Sequence, residues 1–94
     1  MTAIMTFEAF KSSPTPPSVS PLLLALWHDA HGDWEAAHNI AQDIHTSDGA
    51  WLHAYLHRKE GDLWNAGYWY RQARKPVATG TLELEREELV MAFL

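Results

Sequence analysis

Apolar and polar positions follow a helical period along most of this chain. Between Pro21 and Lys75, alanine, leucine, tryptophan and histidine are frequent and β-branched residues are scarce, a composition typical of helices. Breaks occur at two Gly-Asp pairs, at 32–33 and 61–62, and at the segments 45–49 and 75–81. Glycine favours the end of a helix and aspartate the start of the next. The pattern predicts helices near residues 21–31, 33–45, 48–60, 62–74 and 82–93.

The segment before Pro21 has a different character. Residues 12–21 read SSPTPPSVSP, and so many prolines predict an extended linker. It ends at Ser20-Pro21, a serine N-cap followed by proline in the first helical turn. Upstream of the linker, Ile4, Phe7 and Phe10 recur every three residues, which favours a short amphipathic helix or, alternatively, a frayed terminus.

The helical stretch contains an internal repeat. Residues 25–37 (ALWHDAHGDWEAA) align with residues 54–66 (AYLHRKEGDLWNA) at an offset of 29 residues. The identical pairs are Ala25/Ala54, His28/His57, Gly32/Gly61, Asp33/Asp62 and Ala37/Ala66. The two segments thus share one skeleton, a pattern of residues around a glycine turn, and this repetition predicts a duplicated helix hairpin.

This skeleton resembles a tetratricopeptide-like repeat over about residues 21–76. The second unit matches well, with Gly61 and Asp62 at the turn and Ala66, Tyr70 and Ala73 on the following helix, before Pro76. The first unit is more degenerate and has Ala41 where the aromatic residue is expected. The resemblance implies a right-handed stack of hairpins, and the 29-residue offset, against about 34 in the family, implies a tighter stack. The stretch from His53 also resembles a family of small uncharacterised proteins, which implies no function.

The C-terminal segment LELEREELVMAFL predicts a further amphipathic helix that caps the second hairpin. We therefore expect an all-α fold of two stacked helix hairpins with a C-terminal capping helix and a short N-terminal helix. In mid-helix, Gly67 is unfavourable unless another helix approaches closely there, so we expect that approach. The expected organisation is a short N-terminal helix at 1–11, a linker at 12–20 and a helical-repeat domain at 21–94.

Composition limits the classes of function. The net charge of −5 and the absence of a basic cluster argue against nucleic acid or an anionic membrane as partner. Without cysteine there is no disulfide framework and no thiol nucleophile. No apolar run approaches the ~18 residues of a membrane helix, and no signal peptide is recognisable. We expect a cytoplasmic protein.

His53 and His57 are one helical turn apart, a spacing that permits metal binding. The H-E-x-x-H zinc-protease pattern fails because Ala54 replaces the glutamate. A plain metal site needs a third ligand, for which the repeat suggests His28. We expect instead that the pair packs against helix 62–74, so that no metal or cofactor is required. The alternative is a metal-binding protein or enzyme that uses His28, His53 and His57. His38 is expected to be exposed.

Another face of the same helix carries Trp51, Tyr55, Arg58 and Lys59 at helical spacing. The tetratricopeptide resemblance places this face in a concave groove. Two aromatic residues and two cations suit an acidic or carboxylate-ended peptide. The competing interpretation is a solvated face. The leading expectation is a small protein- or peptide-binding module without enzymatic activity, with these four residues as its binding site.

Overall fold

The structure, a computed structural model, describes Phe10 and residues 20–94. In that part of the chain every regular element is a helix, which confirms the all-α fold. The predicted N-terminal helix and linker, at residues 1–19, lie almost entirely outside the described residues. The helices are α1 (Pro21–Ala30), α2 (Trp34–Ala41), α3 (Ser47–Glu60), α4 (Leu63–Ala73) and α5 (Leu82–Phe93).

Each helix begins at a capping side chain. The capping oxygen accepts a hydrogen bond of 3.0–3.2 Å from the backbone amide three residues on, so one amide that lacks a partner within the helix is satisfied. The N-caps are Ser20, Asp33, Thr46, Asp62 and Thr81. Ser20, Asp33 and Asp62 were expected in this role, whereas the cap at Thr46 lies just before the predicted start of its helix at residue 48.

The two Gly-Asp turns have the same geometry. Gly32 and Gly61 both have positive φ, +83° and +91°, a conformation that glycine adopts without strain. In each turn the amide of the next aspartate donates at 2.9 Å to a histidine carbonyl five residues earlier, that of His28 or His57. These bonds close the ends of α1 and α3, so the chain reverses twice in the same way.

Helix α3 is the centre of the molecule. Residues 49–57 are all buried, because α3 packs against all four other helices, α4 most extensively. Helix α1 packs against α2 as α3 does against α4. The four alanines of the repeat skeleton are at most 1% exposed, and their small side chains let the helices approach closely.

The C-terminal helix lies elsewhere than expected. Helix α5 packs against α1 and α3, the first helix of each hairpin, whereas the sequence suggested a cap on the second hairpin alone. Its apolar stripe buries Leu89 and Val90 completely. As a result, α5 covers the face of α3 to which the concave groove was assigned.

Two further expectations were wrong. Helix α2 ends at Ala41, not near residue 45. The chain then tightens, since the amides of Asp43 and Ile44 donate to carbonyls three residues earlier, and the Ile44 carbonyl comes to lie against Gly49. A Cβ on Gly49 would overlap that carbonyl oxygen and lie 2.8 Å from the Ile44 Cβ. Within Phe10 and residues 20–94, no other helix comes within 4 Å of a Cβ added at Gly67, and the nearest atom is an Arg71 side-chain nitrogen at 3.7 Å.

Candidate functional site

Helices α2 and α3 bring three histidines together. His38 comes from α2, and His53 and His57 from successive turns of α3; one ring nitrogen from each lies within 4.8 Å of the others. The α3 rings stack at a centroid distance of 4.7 Å and an angle of 23°. The His38 ring stands edge-on to both, 4.8 Å from His53 and 5.2 Å from His57. We call these three residues the histidine cluster.

Hydrogen bonds orient the rings of the cluster. The Nε2 atoms of His38 and His53 are 3.1 Å apart, so between two neutral rings one nitrogen donates and the other accepts. His57 Nδ1 lies 2.6 Å from Glu60 Oε2. An ionised carboxylate only accepts, so Nδ1 of His57 is the donor. In the neutral ring this leaves a lone pair on Nε2, the arrangement common in metal-binding histidines.

Two tryptophans flank the cluster. Trp34 stacks on His38, with centroids 4.9 Å apart and planes at 11°, and Trp69 stacks on His53 at 4.1 Å and 18°. Trp34 is fixed by its indole N–H, which donates to the Leu56 carbonyl at 2.8 Å. Because each of these indoles sits against a ring of the cluster, the imidazoles have little freedom to rotate.

Burial lowers the pKa of two histidines of the cluster, His53 and His38. His53 is only 7% exposed, and burial, reinforced by the neighbouring His57 and His38, lowers its pKa from 6.5 to about 4. Burial and the proximity of His57 also lower the pKa of His38, with Glu60 opposing. Neutral imidazole is the form that binds metal ions, so at neutral pH neither ring has to release a proton to solvent. The ring whose Nε2 donates in the pair must move that proton to its Nδ1 before Nε2 can bind a metal.

The spacing suits a tetrahedral metal site. Two nitrogens bound to zinc at about 2.0–2.1 Å with tetrahedral angles lie about 3.4 Å apart. The His38–His53 separation of 3.1 Å is close to this value, and the third ring is within reach of a small side-chain adjustment. Imidazole ligands favour zinc, copper, nickel and related ions. The cluster thus has the donors and approximate geometry of a three-histidine metal site.

The third histidine is not the one suggested by the sequence. His28 belongs to neither group of possible ligands among the described residues; it lies on α1 with its ring edge-on to Trp27 at 5.3 Å. The alignment of the two repeats suggested that His28 lies beside α3, but it did not indicate which residues of α2 face α3. Trp34, Ala37, His38 and Ala41 follow the spacing of a buried helix face. That stripe was the available signal for His38, which is half-buried and not exposed.

The predicted groove residues lie beneath α5. Trp51 Nε1 donates to Glu85 Oε2 at 3.2 Å, and Arg58 Nη1 donates to Glu85 Oε1 at 2.9 Å. The Tyr70 hydroxyl lies 2.6–2.8 Å from both oxygens of this carboxylate. Arg58 also donates to the Gly80 carbonyl. Glu85 is only 4% exposed, so its charge is compensated inside the protein.

Tyr55 and Lys59 bind a second buried carboxylate, that of Asp29 on α1. The Tyr55 hydroxyl donates to Asp29 at 2.6 Å and Lys59 Nζ at 2.7 Å. Arg86 of α5 is 3.8 Å from the same carboxylate. Burial first, and then the negative charge of Asp29, raise the pKa of Tyr55. All four predicted residues thus contact carboxylates, but those of this chain; their binding of a partner stays a prediction.

None of the helices in residues 20–94 is both long enough and apolar enough to cross a membrane. In comparisons with models of protein families, with curated proteins and with solved structures, no significant match to this chain was found. The resemblance to tetratricopeptide-like repeats therefore stays a prediction, and the histidine cluster is the strongest indication of function.

Proposed function

We propose that this chain binds a divalent transition-metal ion through His38, His53 and His57. The observation that supports it is the convergence of three imidazole nitrogens, from two helices, within 4.8 Å of one another. Packing alone does not require nitrogens to converge, because a histidine that only fills space needs one hydrogen-bond partner. The role proposed is binding without enzymatic activity, in a cytoplasmic protein.

The ordering of the site supports the same proposal. The Nδ1–H of His57 is held by Glu60, and such outer partners fix the orientation of a ligand and raise its basicity. Trp34 and Trp69 hold the other two rings. A preordered site loses little conformational entropy when a metal binds.

Thermal unfolding with and without zinc tests the proposal. An ion present at about 100 times its Kd stabilises the folded state by about 2.7 kcal/mol, which for a domain of this size raises Tm by roughly 10 °C or more. We expect this rise in the wild-type chain and its loss in His38→Ala, whose half-exposed side chain is dispensable for the core. The control is His28→Ala, which should keep the rise. A full response in His38→Ala, or none in the wild type, would contradict the proposal.

Recognition of an acidic helix is a second candidate function. It is supported by the contacts of Trp51, Tyr55, Arg58 and Lys59, each of which already binds a carboxylate of this chain. An acidic amphipathic helix of a partner protein that presents a glutamate as α5 does would satisfy Trp51 and Arg58, the donors that Glu85 now engages, provided that it displaces α5. Tyr55 and Lys59 would stay paired with Asp29 of α1.

A synthetic peptide with the sequence of residues 81–94 tests this candidate. In the full chain with Glu85→Gln, α5 loses its charged anchor, so calorimetry should detect tighter peptide binding than in the wild type. Adding Arg58→Gln to the Glu85→Gln chain should remove that gain. If the peptide binds neither chain, the groove is not a binding site for acidic helices.

A further inference from the structure

The histidine cluster supplies three protein ligands and no fourth. Across Phe10 and residues 20–94, no carboxylate and no other histidine joins this group within 4.8 Å. The Glu60 carboxylate is bonded to Nδ1 of His57. Structural zinc sites are closed by four protein ligands, whereas sites with three protein ligands keep one position for an exogenous ligand. With three protein ligands, the histidine cluster belongs to the class of sites that keep one position for an exogenous ligand.

The positive charge of the metal ion determines which charge the exogenous ligand should carry. Three neutral imidazoles leave the full double charge of the ion in place, and two of the three histidines are largely buried. An uncompensated charge is costly in such surroundings. An anion in the remaining position would reduce that cost, so the site favours an anionic fourth ligand over a neutral one.

A cavity adjoins the cluster at His53. Its volume is about 400 Å³, at the lower end of the range for small-molecule sites. It lies between α4 and the segment from Ala41 to Ala50. Tyr68 and Trp69 provide aromatic walls, and Gln72 and Thr46 provide groups that form hydrogen bonds. These walls suit an organic ligand with an apolar body and one polar end.

We propose that the metal-loaded cluster keeps an open coordination position and binds the carboxylate of a small organic acid, whose apolar part lies in this cavity against Trp69 and Tyr68. This inference rests on the proposed function, since the acid binds only once the metal is present. It assigns a ligand class, small monocarboxylates, to a site otherwise defined by its metal.

Cobalt(II) absorption provides the test, because the visible bands of this ion respond to a change of ligand. The full chain is loaded with cobalt and titrated with acetate and with benzoate. We expect both acids to shift the bands saturably, with benzoate at least tenfold tighter because its ring contacts the cavity walls. The matched variant is Gln72→Trp, an exposed α4 position where a larger ring fills the cavity. It should bind cobalt as the wild type does and lose the tenfold preference.

The possible outcomes distinguish a failure of metal binding from a failure of acid binding. A chain that fails to bind cobalt would overturn the metal function itself. A chain that binds cobalt but whose bands do not respond to either acid has a closed site, which overturns the present inference alone. If His45→Ala then gains a response, the ligand closing the site is His45, which also lines the cavity. An equal benzoate preference in wild type and Gln72→Trp would overturn the cavity as the location of the acid.

Discussion

The neutral imidazole of His53 ties the stability of the fold to pH. The buried ring stacks between Trp69 and His57, and a proton added to it would face the nearby rings of His38 and His57. The only carboxylate paired with the cluster, within residues 20–94, is that of Glu60 on His57. Protonation of His53 therefore opposes folding.

The sign of the pH dependence follows directly. In the unfolded chain His53 binds a proton below its ordinary pKa of 6.5, whereas in the folded chain it binds one only below about pH 4. Between these two pH values the unfolded state therefore holds more protons than the folded state. Stability should therefore fall as the pH falls from about 6.5 to about 4, by at most about 3 kcal/mol from this residue. Urea unfolding with a chelator present measures it. His53→Gln should show a shallower decline, and an unchanged slope would refute the assignment.

Arg58 should matter for stability far more than its sequence context suggests. On a solvated face its replacement would change stability by about 0.5 kcal/mol or less. In the structure its side chain is 15% exposed and pairs with nearly buried Glu85. Arg58→Met leaves that carboxylate without its countercharge, and we expect a loss of about 3 kcal/mol in urea unfolding. The control Arg71→Met, at an exposed position, should stay within about 0.5 kcal/mol of the wild type. Equal midpoints for both variants would contradict the burial of this pair.

At the scale of the helices, glycines 49 and 67 should respond to the same substitution in opposite ways. At Gly67 the described part of the chain offers an added methyl group just one contact, with the flexible Arg71 side chain, so Gly67→Ala should stabilise α4 by about 0.5–1 kcal/mol. At Gly49 the methyl group would overlap the Ile44 carbonyl, so Gly49→Ala should destabilise the chain. Thermal unfolding of the two variants provides the comparison, and equal shifts of the same sign would show that the α2–α3 connection is not packed as described.

Local chemistry determined which elements could be predicted. The Gly-Asp turns and the caps at Ser20, Asp33 and Asp62 depend on neighbouring residues, so the sequence revealed them. The end of α2 leads into a short connection that brings Ile44 against Gly49, a contact over five residues for which the sequence carries no glycine or proline stop after Ala41. Similarly, the apolar stripe of α5 indicated which face is buried but not which helices cover it. The groove residues were predicted to bind the carboxylate of a partner peptide, and in the structure they contact carboxylates of α1 and α5.

Across the whole molecule, α3 separates two polar clusters. His53 and His57 project towards α2 and α4, while Tyr55 and Arg58 point towards α1 and α5, on another face of the same helix. These clusters share no hydrogen-bond partner among the described contacts. Free-energy changes usually add when two sites share no partner and lie more than about 7–10 Å apart. Arg58 directly follows His57 in the chain, so additivity here would depend on their side chains lying on different faces of α3.

Additivity makes a prediction about metal binding. If the wild-type chain is stabilised by zinc, Arg58→Met should be stabilised by the same free energy within about 0.5 kcal/mol, although its unfolding starts from a lower midpoint. Urea unfolding of both chains at one zinc concentration gives the two increments. A markedly smaller increment in the variant would show that α5 docking and the histidine cluster are coupled through α3.

The stacking of Trp34 and Trp69 on the cluster gives the protein a built-in optical signal. Their indoles touch His38 and His53, whereas Trp64, 80% exposed, emits as a water-exposed indole at longer wavelength. Imidazolium and paramagnetic ions such as Cu²⁺ quench an adjacent indole, and Zn²⁺ does not. Trp34 and Trp69 should therefore lose emission with acid or copper and keep it with zinc. Trp27, stacked on His31 at 4.0 Å, and the buried Trp51 also emit, so the cluster's own signal is the part of the change that Trp34→Phe and Trp69→Phe remove.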